Sequence, residues 1–283
     1  MSQIDWHSGF DGGFHLSLRE YNEQLSYESR HQVTKEPTEI DELVIKKKPG
    51  VVVDNSIGRA FRQFNVIEYK SPDAELSIDV VWKVIGYAGL YKGYGPTVNA
   101  VPYEELTVTI LRSRKPVKLF KYLSAKDGYS ITETDPGVYR IEGMIDMVMQ
   151  IVVIKELKGD VFLPLRIMVK DADEDEIKAF LRKSLTYDIP EDQNNARAVL
   201  NISSEANEET FERIRRDEDM GEALRRVMKD DLAESEQRGE QNAIVQTIRN
   251  LMESMKWTID QAMDAMKVPS DQRSMYAGMV NKK

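Results

Sequence analysis

The stretch RQFNVIEYK, residues 62–70, runs directly into Ser71-Pro72-Asp73. Its β-branched and aromatic content predicts a strand, and the Ser-Pro-Asp that follows stops it. Residues i and i+2 of a strand share a face, so Glu68 and Lys70 point the same way while Tyr69 enters the opposite layer. Downstream, Ser77 opens a helix in which Ile78, Val81, Trp82, Ile85, Ala88 and Gly89 form an apolar stripe. Asp79, Lys83, Tyr87 and Tyr91 recur on another face, and Lys92-Gly93 ends the helix. Residues 105–112 (ELTVTILR) alternate as a strand, Pro116 to Leu123 suggests a short helix, and residues 147–154 (MVMQIVVI) read as a buried strand.

Upstream, Ile40 to Ile45 reads as a buried strand that stops at Lys46 to Lys48 and Pro49-Gly50. Leu25 to Val33 alternates as another strand. Phe14, Leu18, Tyr21 and Leu25 fall on one helical face after Gly12-Gly13, which predicts a first helix there. The first part is therefore helix, three strands, helix, strand: a mixed α+β, α/β-sandwich arrangement over residues 1–170. From Asp173 the pattern changes to long polar helices, Asp173 to Leu185 and Glu208 to Met255, the second with breaks near Asp219 to Gly221 and at Gly239. Thr258 and Gln261 have the spacing of a capping box, and Pro269-Ser270 starts a last short helix carrying Met275 and Met279. Residues 171–283 form an acidic helical region ending in a pair of short helices.

Charge supports that division. Residues 1–170 hold 22 Lys+Arg against 23 Asp+Glu and the remainder 17 against 25, so the net of −9 is split as −1 and −8. Acidity of the second part disfavours nonspecific nucleic-acid binding by it and favours packing or homo-oligomerisation. With 31% charged residues and a mean hydropathy of −0.48, no membrane span is expected. The opening MSQIDWH lacks a basic and apolar leader pattern, which makes the cytoplasm the expected address.

The chain has no cysteine, and its three histidines, His7, His15 and His31, form no H-E-x-x-H pair. Thiolate chemistry is excluded and histidine zinc chemistry disfavoured, which leaves carboxylates, lysines, hydroxyls or an oxygen-loving cation. No phosphate-cradling G-x-x-x-x-G-K-[ST] occurs, Gly93-Tyr-Gly95 runs into Pro96, and no G-x-S-x-G elbow is present, so no nucleotide cofactor is expected.

What remains is Glu68-Tyr69-Lys70 at a strand end, with Asp41 on the strand before it. Were those strands paired, the two carboxylates would converge on Mg²⁺ (or Mn²⁺), with waters completing an octahedral shell. The cation would polarise a phosphodiester and acidify a bound water, while Lys70 would steady that water or the developing negative charge. E-x-K also occurs at Glu156-Leu-Lys158 and Glu176-Ile-Lys178. The helical setting of Glu176 separates its pair, whereas Glu156 and Lys158, with Asp146 upstream, make a rival set. The plainer reading of Glu68 and Lys70 is a surface ion pair worth about 0 to 1 kcal/mol. Asp79 and Lys83 are an i,i+4 helix pair in the plain reading, with Lys83 orienting a phosphate in the functional one. Lys46 to Lys48, Arg59 and Arg62 form one basic cluster flanking the site. Arg112, Arg114, Lys115, Lys118 and Lys121 form another if the fourth strand abuts it, and both are candidates for contact with a DNA backbone.

Ile40 to Ile45, then NVIEYKSPD (residues 65–73), LSID (76–79) and KVIGYA (83–88) together resemble bacterial members of the PD-(D/E)XK nuclease superfamily. The likeness is to Rpn-like recombination-promoting nucleases and nuclease-family transposases, and it covers about residues 10–115. It implies a restriction-endonuclease-like α-β-β-β-α-β core, a divalent metal, and DNA hydrolysis in recombination or mobile-element movement. Carried over, Asp41 is the first metal ligand, Glu68 the second, Lys70 the catalytic lysine, and Glu28 a further ligand. Pro37 lies four residues before Asp41 instead of next to it, which makes Asp54 an alternative first acid. The competing functional reading is a nuclease-fold protein without activity that assembles through its helical tail.

Overall fold

A computed structural model describes residues 6–29, 43–228, 244–269 and 272–281. The first part of the chain runs α1 (Trp6–Ser17), β1 (Leu25–Ser29), β2 (Leu43–Lys47), β3 (Phe64–Lys70), α2 (Ile78–Gly93) and β4 (Leu106–Arg112). It continues through α3 (Val117–Ser124), β5 (Ser130–Asp135), β6 (Val138–Glu142) and β7 (Val148–Val153). After them come α4 (Leu163–Arg166), α5 (Glu174–Ser184), α6 (Pro190–Ala206), α7 (Glu208–Arg216) and α8 (Glu218–Val227). The strands make one seven-stranded mixed sheet in the order β1-β2-β3-β4-β7-β6-β5. β1, β2 and β3 are antiparallel neighbours, while β4 lies parallel to both β3 and β7. A parallel connection cannot be made by a tight turn, and α2 supplies the crossover between β3 and β4.

β3 has neighbours on both sides, and the five residues Asn65 to Tyr69 of its seven are buried, as befits a strand inside a sheet covered on both faces. On one face, Val44, Val66, Val108, Ile110 and Ile151 pack with Val81, Val84, Ile85 and Ala88 of α2 and Leu119 and Leu123 of α3. Ser77 caps α2 by accepting from the Val80 N–H at 3.4 Å. On the other face Tyr69 stacks on Phe10 of α1, with ring centroids 4.8 Å apart. Two polar side chains of the sheet that are buried on this second face, Asn65 and Gln150, are hydrogen-bonded. Asn65 Nδ2 donates to the carbonyls of Ile45 and Arg62, and Gln150 Nε2 donates to that of Ile57, which pins the 57–62 segment to the sheet.

α1 occupies residues 6–17, not the 14–25 expected from apolar spacing, and a 3₁₀ turn over Arg19–Gln24 leads into β1. Gly12-Gly13 lies inside the helix instead of before it. The reason is close packing against α6: a Cβ on Gly9 would lie 2.3 Å from the side-chain Cγ1 of Ile202, and one on Gly12 would lie 2.9 Å from the Asn195 carbonyl oxygen. Glycine here removes a steric obstacle, at a cost in helix propensity of about 1 kcal/mol each.

Two expectations were incomplete. The β5–β6 hairpin turns at Pro136-Gly137, where Gly137 has φ 78° and a Cβ would meet the Val153 carbonyl oxygen at 2.7 Å. α6 fills the interval between the expected helices at 173–185 and 208–255. The compact units are residues 1–227 and 228–283, so α5 to α8 belong with the sheet, in contrast to the division expected at 170. The break in the long polar helix falls at Asp217, whose ψ of 130° ends α7, while the expected break at Gly239 lies outside the described residues.

The second unit contains α9 (residues 244–255), α10 (Ile259–Ala265) and α11 (Arg273–Asn281). Val245, Ile248, Ala262, Met263, Val268 and Tyr276 form its core, with Met266 and Met279 packed against them. The capping box at Thr258 and Gln261 is present in both directions. Among the described residues no helix is long and apolar enough to cross a membrane.

Candidate functional site

Glu68 and Lys70 occupy the C-terminal end of β3 on the face that packs under α2, since Val66, two residues back, belongs to that core. Lys70 Nζ is paired directly with Glu68 Oε1. The pair is largely withdrawn from water, with side-chain exposures of 19% for Lys70 and 7% for Glu68. It is thus not the exposed surface pair of the plain reading. A buried carboxylate without a partner would be costly, and the ammonium two residues along the same face supplies one. The strand period therefore explains both the contact and its orientation.

The parallel pairing of β3 with β4 adds a third charge. Glu68 lies opposite Ile110 and Lys70 opposite Arg112, so Arg112 ends its strand beside Lys70. Arg112 is half-buried, and burial lowers its pKa while nearby Glu75 acts to raise it. Its Nε is buried without a hydrogen-bond partner. Both strands end in a cation followed by a polar turn, Lys70-Ser71-Pro72 and Arg112-Ser113-Arg114, and that repeated ending is the signal from which Arg112 is legible once the pairing is parallel.

The other expected residues fall in different places. Asp41 lies outside the described residues, as does the side chain of Glu28, whose backbone pairs with Val44 in β1. Lys83 is on the solvent side of α2, with Nζ 5.2 Å from the ring centroid of Tyr87. Asp54 is in an exposed turn at 79% side-chain exposure, 3.4 Å from Arg59 Nε. Asp146 precedes β7 while Glu156 follows it. A strand of that length separates them by about 20 Å, so this rival set does not converge. Glu156 instead accepts a 2.5 Å hydrogen bond from the Tyr139 hydroxyl, which in turn accepts from Lys115 Nζ at 2.8 Å.

The two basic clusters separate by strand direction. β2 runs antiparallel to β3, so Lys46 lies opposite Phe64, at the end of β3 remote from Glu68. Lys47 and Lys48 donate to the carbonyls of Val51 and Glu23, and Arg59 binds Asp135 at 3.1 Å. This cluster holds loops together and does not flank Glu68, contrary to expectation. Arg112, Arg114, Lys115 and Lys118 follow a strand parallel to β3 and emerge at the Lys70 end.

Among the described residues no group of three or more histidines, aspartates and glutamates is gathered to hold a metal ion. Glu68 is a carboxylate oxygen donor, a type that suits Mg²⁺, which is commonly bound by one or two carboxylates together with waters and phosphates. No family profile, curated protein or solved structure matches the chain.

Proposed function

We propose that this protein is a Mg²⁺-dependent DNA endonuclease built on a restriction-endonuclease-like core. The observation that carries the reading is the Glu68–Lys70 pair, an acid and an amine on one face of a strand end, both sheltered from bulk water. The mixed α+β fold, with α1, three antiparallel strands, α2 and a parallel β4 in that order, is compatible with the core that the sequence resemblance implies and supports the reading to that extent.

Asp41 and Glu68 would hold the cation as first and second ligands, with Glu28 contributing a further oxygen. Bound Mg²⁺ or Mn²⁺ supplies charge to polarise the phosphodiester and to acidify a water. Lys70, positioned by its carboxylate neighbour, presents an ammonium that orients the attacking water and offsets negative charge gathering on the phosphoryl oxygens. Low exposure strengthens that interaction, because less water screens it. DNA is the substrate in this reading, and recombination or mobile-element movement is the setting.

Nicking of supercoiled plasmid in the presence of Mg²⁺ tests the proposal. Glu68→Ala and Lys70→Ala should each abolish it, and Asp41→Asn should reduce it strongly. Cleavage that survives both of the first two changes would refute the assignment. A second reading, a nuclease-fold protein that acts through assembly, draws on the fact that Glu68 already has Lys70 as its partner. Calorimetry distinguishes the two: saturable heat of Mg²⁺ binding that disappears in Glu68→Ala favours the enzyme.

A further inference from the structure

A cleft of about 310 Å³ opens beside the C-terminal ends of β3 and β4. It is lined by residues 72–76, which lead into α2, and by Arg112 with residues 115–119, which lead into α3. We propose that this cleft binds a phosphate group, and that in the complex with DNA it seats a backbone phosphate neighbouring the one acted on at Glu68 and Lys70. The DNA part of this inference rests on the nuclease reading; the phosphate part does not.

Three features converge on an anion. Arg112 lines the cleft half-buried, and the carboxylate that acts on its charge, Glu75, is itself well exposed. A guanidinium suits phosphate because its planar fork of donors matches two oxygens at once. Lys115 is held in place by a neutral partner: its Nζ donates to the Tyr139 hydroxyl at 2.8 Å and sits 4.3 Å from that ring's centroid. Tyr139 is fixed from behind by Glu156, so the ammonium is positioned while its charge is not cancelled by direct carboxylate contact. Finally, the first turn of α3 lines the cleft, and Pro116 at its N-cap provides no side-chain acceptor. The Val117 N–H of that turn donates to the Lys115 carbonyl, so the Lys118 and Leu119 N–H groups, together with the helix dipole, are what favour negative charge there.

The cleft also contains carboxylates, and they are accounted for. Asp73 is bound by Lys170 Nζ at 2.6 and 2.7 Å. Glu75 acts on Arg112 and is 3.3 Å from Lys118 Nζ, with the Glu75 and Lys118 side chains well exposed. An exposed pair of that kind contributes about 0 to 1 kcal/mol, so a phosphate can draw Lys118 away from Glu75 at small cost. Arg112 is in register with Lys70, and adjacent strands are about 4.8 Å apart, so the cleft and the acid–amine pair lie at neighbouring strand ends.

The test measures binding of the full chain, in EDTA, to a fluorescein-labelled DNA duplex by anisotropy and to inorganic phosphate by calorimetry. Variants are Arg112→Met, Lys118→Gln and, as a charge control outside the cleft, Lys121→Gln. Arg112→Met should weaken DNA binding about tenfold and reduce the slope of log K against log salt by about 0.9, as the loss of one phosphate contact requires. Lys118→Gln, at a side chain that is 92% exposed and so harmless to folding, should act in the same direction, while Lys121→Gln should do less than either. If phosphate binding falls in the first two variants and DNA binding does not, the site stands and its ligand is a free phosphoryl compound. If neither ligand binds the parent chain, or neither variant changes binding by more than the control does, the site is refuted. Plasmid nicking is scored separately. A chain that never nicks DNA but loses binding in Arg112→Met keeps the phosphate site and gives up the nuclease, whereas nicking with unaltered binding does the reverse.

Discussion

Replacing Lys70 by methionine removes the ammonium, keeps most of the aliphatic volume and takes from Glu68, whose side chain is 7% exposed, the partner it has among the described residues. Breaking a buried ion pair from one side costs about 3 to 5 kcal/mol, because the remaining charge is desolvated without compensation. Lys70 retains 19% exposure, so water reaches the site in part, and the lower end, about 3 kcal/mol, is expected. With a urea dependence of about 2 to 3 kcal/mol/M, this moves the unfolding midpoint down by about 1 M. The companion variant Glu68→Leu with Lys70→Met removes both charges, and apolar replacement of a buried pair is close to neutral, so most of the loss should be recovered. Unfolding followed by tryptophan fluorescence and circular dichroism reads both values, and coincident transitions establish that a single free energy describes them. A Lys70→Met protein within about 0.5 kcal/mol of the parent would show that the pair is screened like a surface bridge. A double variant no more stable than the single one would show that Lys70 acts through packing. Either result would remove the physical basis for treating this strand end as a sheltered site.

Two further outcomes test the packing and the titration. Gly9→Ala should lower stability by about 1 to 2 kcal/mol, since overpacking against Ile202 at 2.3 Å outweighs the gain in helix propensity, whereas Gly86→Ala, with open space around it in α2, should raise stability by about 0.5 to 1 kcal/mol; thermal melts of the two should move in opposite directions. His15 has its pKa lowered from 6.5 by burial, against the opposing pull of Glu191, Asp11 and Asp192. The unfolded chain therefore takes up a proton before the folded one, and the stability this group contributes is intact above pH 6.5 and lost as pH falls towards the folded value. Melting temperatures between pH 7.5 and 5.5 should decline less steeply in His15→Gln than in the parent chain.

The strands and α2 were legible because their signals are local. Alternation and β-branched content mark β3 and β4, and Ser77 with Val81, Ile85 and Ala88 marks α2, whereas Trp82, expected in the apolar stripe, is exposed and Tyr91, expected on the other face, is buried. The position of α1 was not, because Gly12-Gly13 is a breaker by propensity and a helix interior by packing, and the partner that decides between them, α6, is about 180 residues away. α6 itself buries Ala196, Val199, Leu200, Ile202 and Ser203, a stripe of mostly small residues within a polar sequence, which gives a weak periodic signal. At the site, the shared face of Glu68 and Lys70 follows from a period of two and needs no tertiary information. The placement of Lys83 does need it: its position on the solvent side follows from which stripe of α2 meets the sheet.

The charges divide on a single topological choice. Lys46 to Lys48 and Arg112 to Lys118 look alike as basic runs that close a strand. Antiparallel pairing carries the first run to the Phe64 end of β3, and parallel pairing carries the second to the Lys70 end. Only the crossover through α2 distinguishes them, because a strand reached by a helix on one face must return in the same direction. The same crossover puts the first turns of α2 and α3 above the ends of β3 and β4, which builds a cleft where two cations already end their strands. Crevices outside the carboxyl ends of parallel strands are where open α/β sheets bind their ligands, and in this sheet β3 and β4 form such an edge with a buried acid–amine pair directly beneath it. The distant basic run is consumed instead in carbonyl and carboxylate contacts that fasten loops. Strand polarity, more than residue type, thus determines which lysines and arginines of this chain have charge available for a ligand.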